Sequence, residues 1–233
     1  MKRLSILILV FTLSLSFFIL APAFLNQPFA PNPYLKLADV LDIFTPLVII
    51  PLYYLLLYYG GSQPPSLRST IVFLVFAALW VLGQGMHLSA NTIGHWLTTT
   101  AGDQIYDVTY FYDEVLSHYL WHLGAAALSA QLIYNSWRHP FQDQTFRLVV
   151  ESIAGIIYGL TIFIIGIEGG TVALMFPFSI IAAFAALILG WGKFKRIPVL
   201  SFFMIGYALA ALIFIGWGLY WGGFPQFSHL GWI

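Results

Sequence analysis

Gly83-Gln84-Gly85-Met86-His87-Leu88-Ser89-Ala90-Asn91-Thr92-Ile93-Gly94-His95 and, after a polar turn, Asp113-Glu114-Val115-Leu116-Ser117-His118-Tyr119-Leu120-Trp121-His122 hold four of the six histidines of a 233-residue chain. At about 100° per residue on a helix, His87, Asn91 and His95 drift along one face, with Gln84 just behind them. Glu114, His118 and His122 do the same on a second helix, each four residues after the last. Two neighbouring helices would then each carry a stripe of groups that bind metals or move protons. The flanking sequence reads as a hydrophobic container for that pair.

The container follows from composition. Sixty per cent of the residues are hydrophobic and only 8% are charged. A soluble domain carries about 25% charged residues, so this chain cannot cover itself with a wetted surface. Apolar runs separated by Gly, Pro and charge imply an all-α, polytopic membrane bundle. The net charge of zero carries no signature of nucleic-acid binding. The absence of cysteine excludes disulfides, zinc–thiolate sites, iron–sulfur clusters and thiol catalysis.

Seven spans are expected within a single domain, residues 1–233: Leu4–Leu25, Leu37–Tyr59, Ser69–Trp96, Tyr106–Tyr134, Phe146–Ile167, Thr171–Trp191 and Ile197–Trp221. The first also fits a secretory signal, with Ala21-Pro22-Ala23 as a small-x-small cleavage site, which would leave six spans. Its apolar length of about 20 residues favours a retained helix. Asn26 to Tyr34, with three prolines, is expected as an exposed loop. Pro46 and Pro51 predict a kinked second helix. Gly155-x-x-x-Gly159 and Gly218-x-x-x-Gly222 permit close helix packing.

Basic residues gather on the cytoplasmic side of membrane proteins. With seven spans and the amino terminus inside, Lys2, Arg3, Arg68, Arg138, Arg147, Lys193, Lys195 and Arg196 fall inside, and only Lys36 outside. That eight-to-one bias predicts an N-in/C-out topology, in a plasma membrane of bacterial type. Asp39, Asp42, His87, Asn91, His95, Asp113, Glu114, His118, His122 and Glu168 then lie toward the non-cytoplasmic side. Asp143, Glu151 and His139 lie inward.

An ionisable side chain in a membrane costs about 2.5–3.5 kcal/mol on insertion scales, so each invites a functional explanation. His118 and His122, at i and i+4, can ligate one ion, and His87 from the facing helix can supply a third nitrogen. Three imidazoles with an open position make a catalytic zinc pattern; iron is the rival metal. Glu114 is the expected general base or fourth ligand and Asp113 its orienter, while Asn91 or Ser117 could polarise a carbonyl. Asp39 and Asp42 could cap the second helix, and Glu168 reads as a loop residue. A purely structural reading also exists: a buried network holding the third and fourth helices together.

The histidines, acid and serine within seven spans resemble the inventory of the alkaline ceramidase and adipoQ-receptor superfamily of membrane zinc hydrolases, which act on lipid amides. The resemblance covers only the third and fourth helices. It departs from that family's order, in which the paired histidines stand on a late helix. The expectation is therefore a metal-dependent hydrolase, with zinc or iron, acting at the outer face on a lipid or other small membrane-dissolved substrate. A proton- or metal-handling transporter and a non-catalytic membrane subunit are the alternatives.

Overall fold

The computed structural model describes residues 2–97, 102–142, 146 and 148–232. Asp143 and Arg147, both expected on the cytoplasmic side, lie outside the described residues, as does the side chain of Lys2. The fold is nearly all-α. Helix α1 (Lys2–Leu20) ends in a 3-10 turn at Ala21–Phe24. A short antiparallel hairpin, β1 (Pro28–Phe29) and β2 (Asn32–Lys36), leads into α2 (Leu37–Tyr59) and α3 (Leu67–Gly94). The segment expected as a loop thus pairs with itself.

The expected fourth span is helical from Gln104 to Arg138 in three parts: α4 (Gln104–Tyr110), a π-helical stretch Phe111–Ser117, and α5 (His118–Arg138). Next come α6 (Val149–Glu168), α7 (Val172–Gly190) and α8 (Pro198–Trp221). The ends have ordinary chemical causes. Ser66 caps α3 by accepting the Ser69 N–H, Asp103 caps α4 by accepting that of Ile105, and α8 stops at Gly222 in a left-handed conformation (φ 64°). Helix α2 continues through both prolines.

Among the described residues, six helices are long and apolar enough to cross a membrane: α1 with its turn, α2, α3, α6, α7 and α8. Helix α5 has the length but not the apolarity, because it carries His118, His122, Gln131 and Asn135. Leu67, Ile188 and Leu219 are more than 70% exposed. Large apolar side chains outward and polar ones inward are what a lipid solvent favours, and the chain is a multi-pass membrane protein.

Relative directions are set by polar contacts between helices. Ser5 donates to Glu151 Oε1 (2.6 Å), and Ser16 pairs with Thr161 (2.7 Å). Both partners advance together, so α1 and α6 run parallel. Gln131 Nε2 donates to the Ser69 carbonyl (2.6 Å) near the start of α3, while His87 near its end meets Asp113. Helix α5 therefore runs antiparallel to α3 along most of its length. In the interior, Tyr53, Ser129, Tyr158 and Tyr207 join their hydroxyls across α2, α5, α6 and α8 at 2.9–3.3 Å.

Glycines set the closest approaches. A Cβ on Gly155 would stand 2.9 Å from the Phe202 carbonyl oxygen, and one on Gly159 would collide with that of Gly206. The first expected glycine pair thus packs α6 on α8. The second does not act as a pair, since a Cβ at Gly222 would meet open space. A contact unmarked by any such spacing joins α3 to the site-bearing helix. A Cβ on Gly83 would stand 2.5 Å from the Ser117 oxygen and the Trp121 nitrogen, and one on Gly124 2.8 Å from the Trp80 nitrogen.

Candidate functional site

Helix α3 delivers His87, and the π-helical stretch delivers Asp113 and Glu114. A π segment widens the turn and changes which residues share a face; such segments are frequent at functional sites. Adjacent positions on a helix diverge, and the two acids do face different neighbours here. Asp113 Oδ1 lies 2.7 Å from His87 Nδ1, an ion-pair distance without the alignment of a linear hydrogen bond. Glu114 lines a cavity.

The three expected imidazoles share one feature. Each has its Nδ1 turned to an outer partner. His87 Nδ1 meets the Asp113 carboxylate, His118 Nδ1 donates to the Glu114 carbonyl (3.2 Å), and His122 Nδ1 is hydrogen-bonded to Thr171 Oγ1 (2.5 Å). Metal-bound histidines are held in this way, one ring nitrogen tied to a carboxylate, carbonyl or other polar group and the other left to ligate. His122 is 1% exposed, and its Nε2 is buried without a partner. Ring centroids of His87 and His118 are 4.8 Å apart, and those of His118 and His122 5.8 Å. Imidazoles sharing one ion stand roughly 5 Å apart, from metal–nitrogen bonds of about 2.0–2.1 Å. Among the described residues, however, no three His, Asp or Glu side chains are already gathered to hold an ion. The donor types and their outer partners fit zinc or iron; the gathering of the donor atoms is incomplete.

All three rings line one cavity of about 550 Å³. Its polar end adds Asp42, Glu114 and Glu168. Its apolar walls come from Phe18, Leu20, Ile164 and Ile165, with Phe227 and Trp232 of the C-terminal tail. The tail is tied down by Glu168, whose Oε2 accepts the backbone N–H of Phe227 (2.8 Å) and Ser228 (3.3 Å). A second cavity of about 250 Å³ lies beyond the acids, lined by Asn91, His95, Tyr106, Asp113 and Glu114. Glu114 borders both.

Other expected site residues are elsewhere. Asn91 reaches Asp39 Oδ1 (3.5 Å), and Asp39 Oδ2 accepts the Lys36 N–H (2.8 Å), so Asp39 is the expected helix cap. Ser117 is fully buried, and its hydroxyl donates to the Asp113 carbonyl. Neither Asn91 nor Ser117 lines the histidine cavity. Asp42, expected as a helix cap, and Glu168, expected as a loop residue, do line it. Thr171 was missed, and the available signal was Gly169-Gly170. Gly170 adopts φ 61°, and a Cβ on Gly169 would stand 2.6 Å from His122 Cε1. The Gly-Gly turn therefore lets α6 end against the imidazole and starts α7 at the threonine that holds it.

His95 lies just past the end of α3, and its Nε2 accepts from Lys36 Nζ (2.9 Å). Burial, and then the Lys36 charge, hold its pKa below the ordinary value of 6.5. The unfolded chain therefore takes the proton first, so this group's contribution to stability is flat above about pH 6.5 and falls as pH drops below it. Acidification from pH 7 to 5 is expected to lower the hydrogen-exchange protection factors, taken relative to the intrinsic rate at each pH, across Tyr34–Lys36, which the contact helps to dock. In His95→Gln that pH dependence should disappear.

Compared with protein-family models, curated proteins and solved structures, the chain matches none of them.

Proposed function

We propose that the chain is a membrane-embedded, metal-dependent hydrolase acting on a lipid or membrane-dissolved substrate from the non-cytoplasmic side. One observation carries the reading: three imidazoles on one cavity, each with Nδ1 engaged by an outer partner. His87, His118 and His122 would hold zinc, or iron, through Nε2. The bound ion would supply Lewis acidity at the scissile carbonyl and lower the pKa of water. Glu114, bordering both cavities, takes the proton from the attacking water and returns it to the leaving group as the scissile bond breaks. Asp113 orients His87, and Thr171 orients His122.

In this reading Gln104–Arg138 is the seventh crossing, polar because it carries the site. The parallel run of α1 and α6 supports it: three crossings between them preserve direction, and two would reverse it. A reporter fused after Ile233 is expected outside and one between Trp137 and Gln144 inside. Finding both on one side would end this topology and the outward-facing site with it.

Metal analysis of the purified protein tests the centre. Wild type is expected to hold about one equivalent of zinc or iron, and His118→Ala or His122→Ala to lose most of it. Folded wild-type protein that takes up neither metal would leave the proton-relay and structural readings. The His87–Asp113 ion pair is the observation that favours a proton relay.

A further inference from the structure

The charge and wall chemistry of the cavity point past the reaction type to the substrate, an inference that rests on the reading just proposed. We infer that the histidine cavity binds a single-chain amphiphile with a cationic, amine-type head, and disfavours anionic phosphate heads. Asp42, Glu114 and Glu168 face the cavity, and no Lys or Arg lines it among the described residues. A phosphate or carboxylate head would find none of the guanidinium or ammonium partners that normally recognise it. Trp121, Phe227 and Trp232 line the same cavity as the acids, and Glu168 accepts the Phe227 backbone N–H. Aromatic faces beside carboxylates are the usual surroundings of an amine or quaternary ammonium.

Acidic residues alone would not make a site, and a second observation converges on the same place. The Nε2 of His122, in the wall of this cavity, is buried and unpartnered. In the tautomer whose Nδ1–H donates to Thr171, that nitrogen presents a lone pair, able to accept a substrate N–H or O–H or to bind the metal. A divalent ion would not reverse the selectivity. The three wall carboxylates, with Asp113 behind His87, carry more charge than it does. Phe18 and Leu20 from α1 and Ile164 and Ile165 from α6 give the same cavity an apolar lining on which an alkyl chain can pack.

The test is equilibrium binding of two radiolabelled probes, tetradecyltrimethylammonium and tetradecyl phosphate, to the purified full chain in maltoside micelles. The probes share one chain, and neither carries an ester or amide, so the result does not depend on turnover. The ammonium probe is expected to bind at least about tenfold more tightly than the phosphate. The Asp42→Asn/Glu114→Gln double variant is expected to reduce that preference to within about twofold. Equal or tighter binding of the phosphate to wild type would overturn the inference without any variant. So would an undiminished preference in a double variant whose circular dichroism matches wild type. Either failure leaves the hydrolase reading standing, and that reading fails separately, in the metal and turnover assays.

Discussion

Glu114→Gln is expected to lower lipid hydrolysis by about 10²–10⁴-fold while leaving the metal in place. That range is the usual contribution of a positioned acid or base. The substitution keeps the side-chain shape and a neutral oxygen but removes the ability to take a proton. Glu114 lies on the wall it shares with His87, His118 and His122, and it also borders the smaller outer cavity. In the proposed reaction it is the carboxylate placed to exchange a proton with a molecule in the histidine cavity. Asp113 is less free, since its Oδ1 is held against His87. The experiment measures metal content and product formation on the same two proteins. Metal loss with the activity would make Glu114 a ligand. Full metal with undiminished hydrolysis would remove it from the chemistry and move the role to Asp113.

Gly83→Val is expected to be the most damaging of the conservative changes near the site. A Cβ there would stand 2.5 Å from the Ser117 carbonyl oxygen and the Trp121 nitrogen, both backbone atoms that cannot rotate away. Relief requires α3 to move off the site-bearing helix, and His87 would leave Asp113 with it. Overpacking costs about 1–3 kcal/mol where side chains can adjust, and a backbone contact belongs at the upper end. Gly85→Val is the control. A Cβ at Gly85 meets nothing within 4 Å, so the same side chain two residues along should change stability by no more than about 0.5 kcal/mol. Thermal unfolding of the two variants in the same detergent separates them. Equal midpoints would mean that the α3 contact is looser than these distances.

Glu114, His118 and His122, spaced four apart on the expected fourth span, line one cavity together with His87 from the facing helix. Periodicity reports which residues share a helix face, and that is enough to align Glu114, His118 and His122. The third helix's stripe was read as one unit and is divided in the fold. His87 enters the cavity, whereas Asn91 turns to Asp39 and His95 to Lys36. Their partners lie 52 and 59 residues away in the chain, beyond the reach of local spacing. Thr171, 49 residues from His122, was hidden for the same reason.

The sequence by itself determined the class. With 60% hydrophobic and 8% charged residues, the chain has to fold against lipid, and helices are the form in which each apolar segment satisfies its own backbone. It also determined where most helices begin and end, through prolines, glycines and capping side chains. Tertiary structure alone decided which outer group meets the Nδ1 of each imidazole. It also decided that the acids sit on a π-helical stretch, and that a Gly-Gly turn and the C-terminal tail complete the walls. The physical reason is a difference of range. Burial and backbone satisfaction act on each segment separately, while the orientation of a side chain in a site depends on groups that only the packing of distant helices brings within hydrogen-bonding distance.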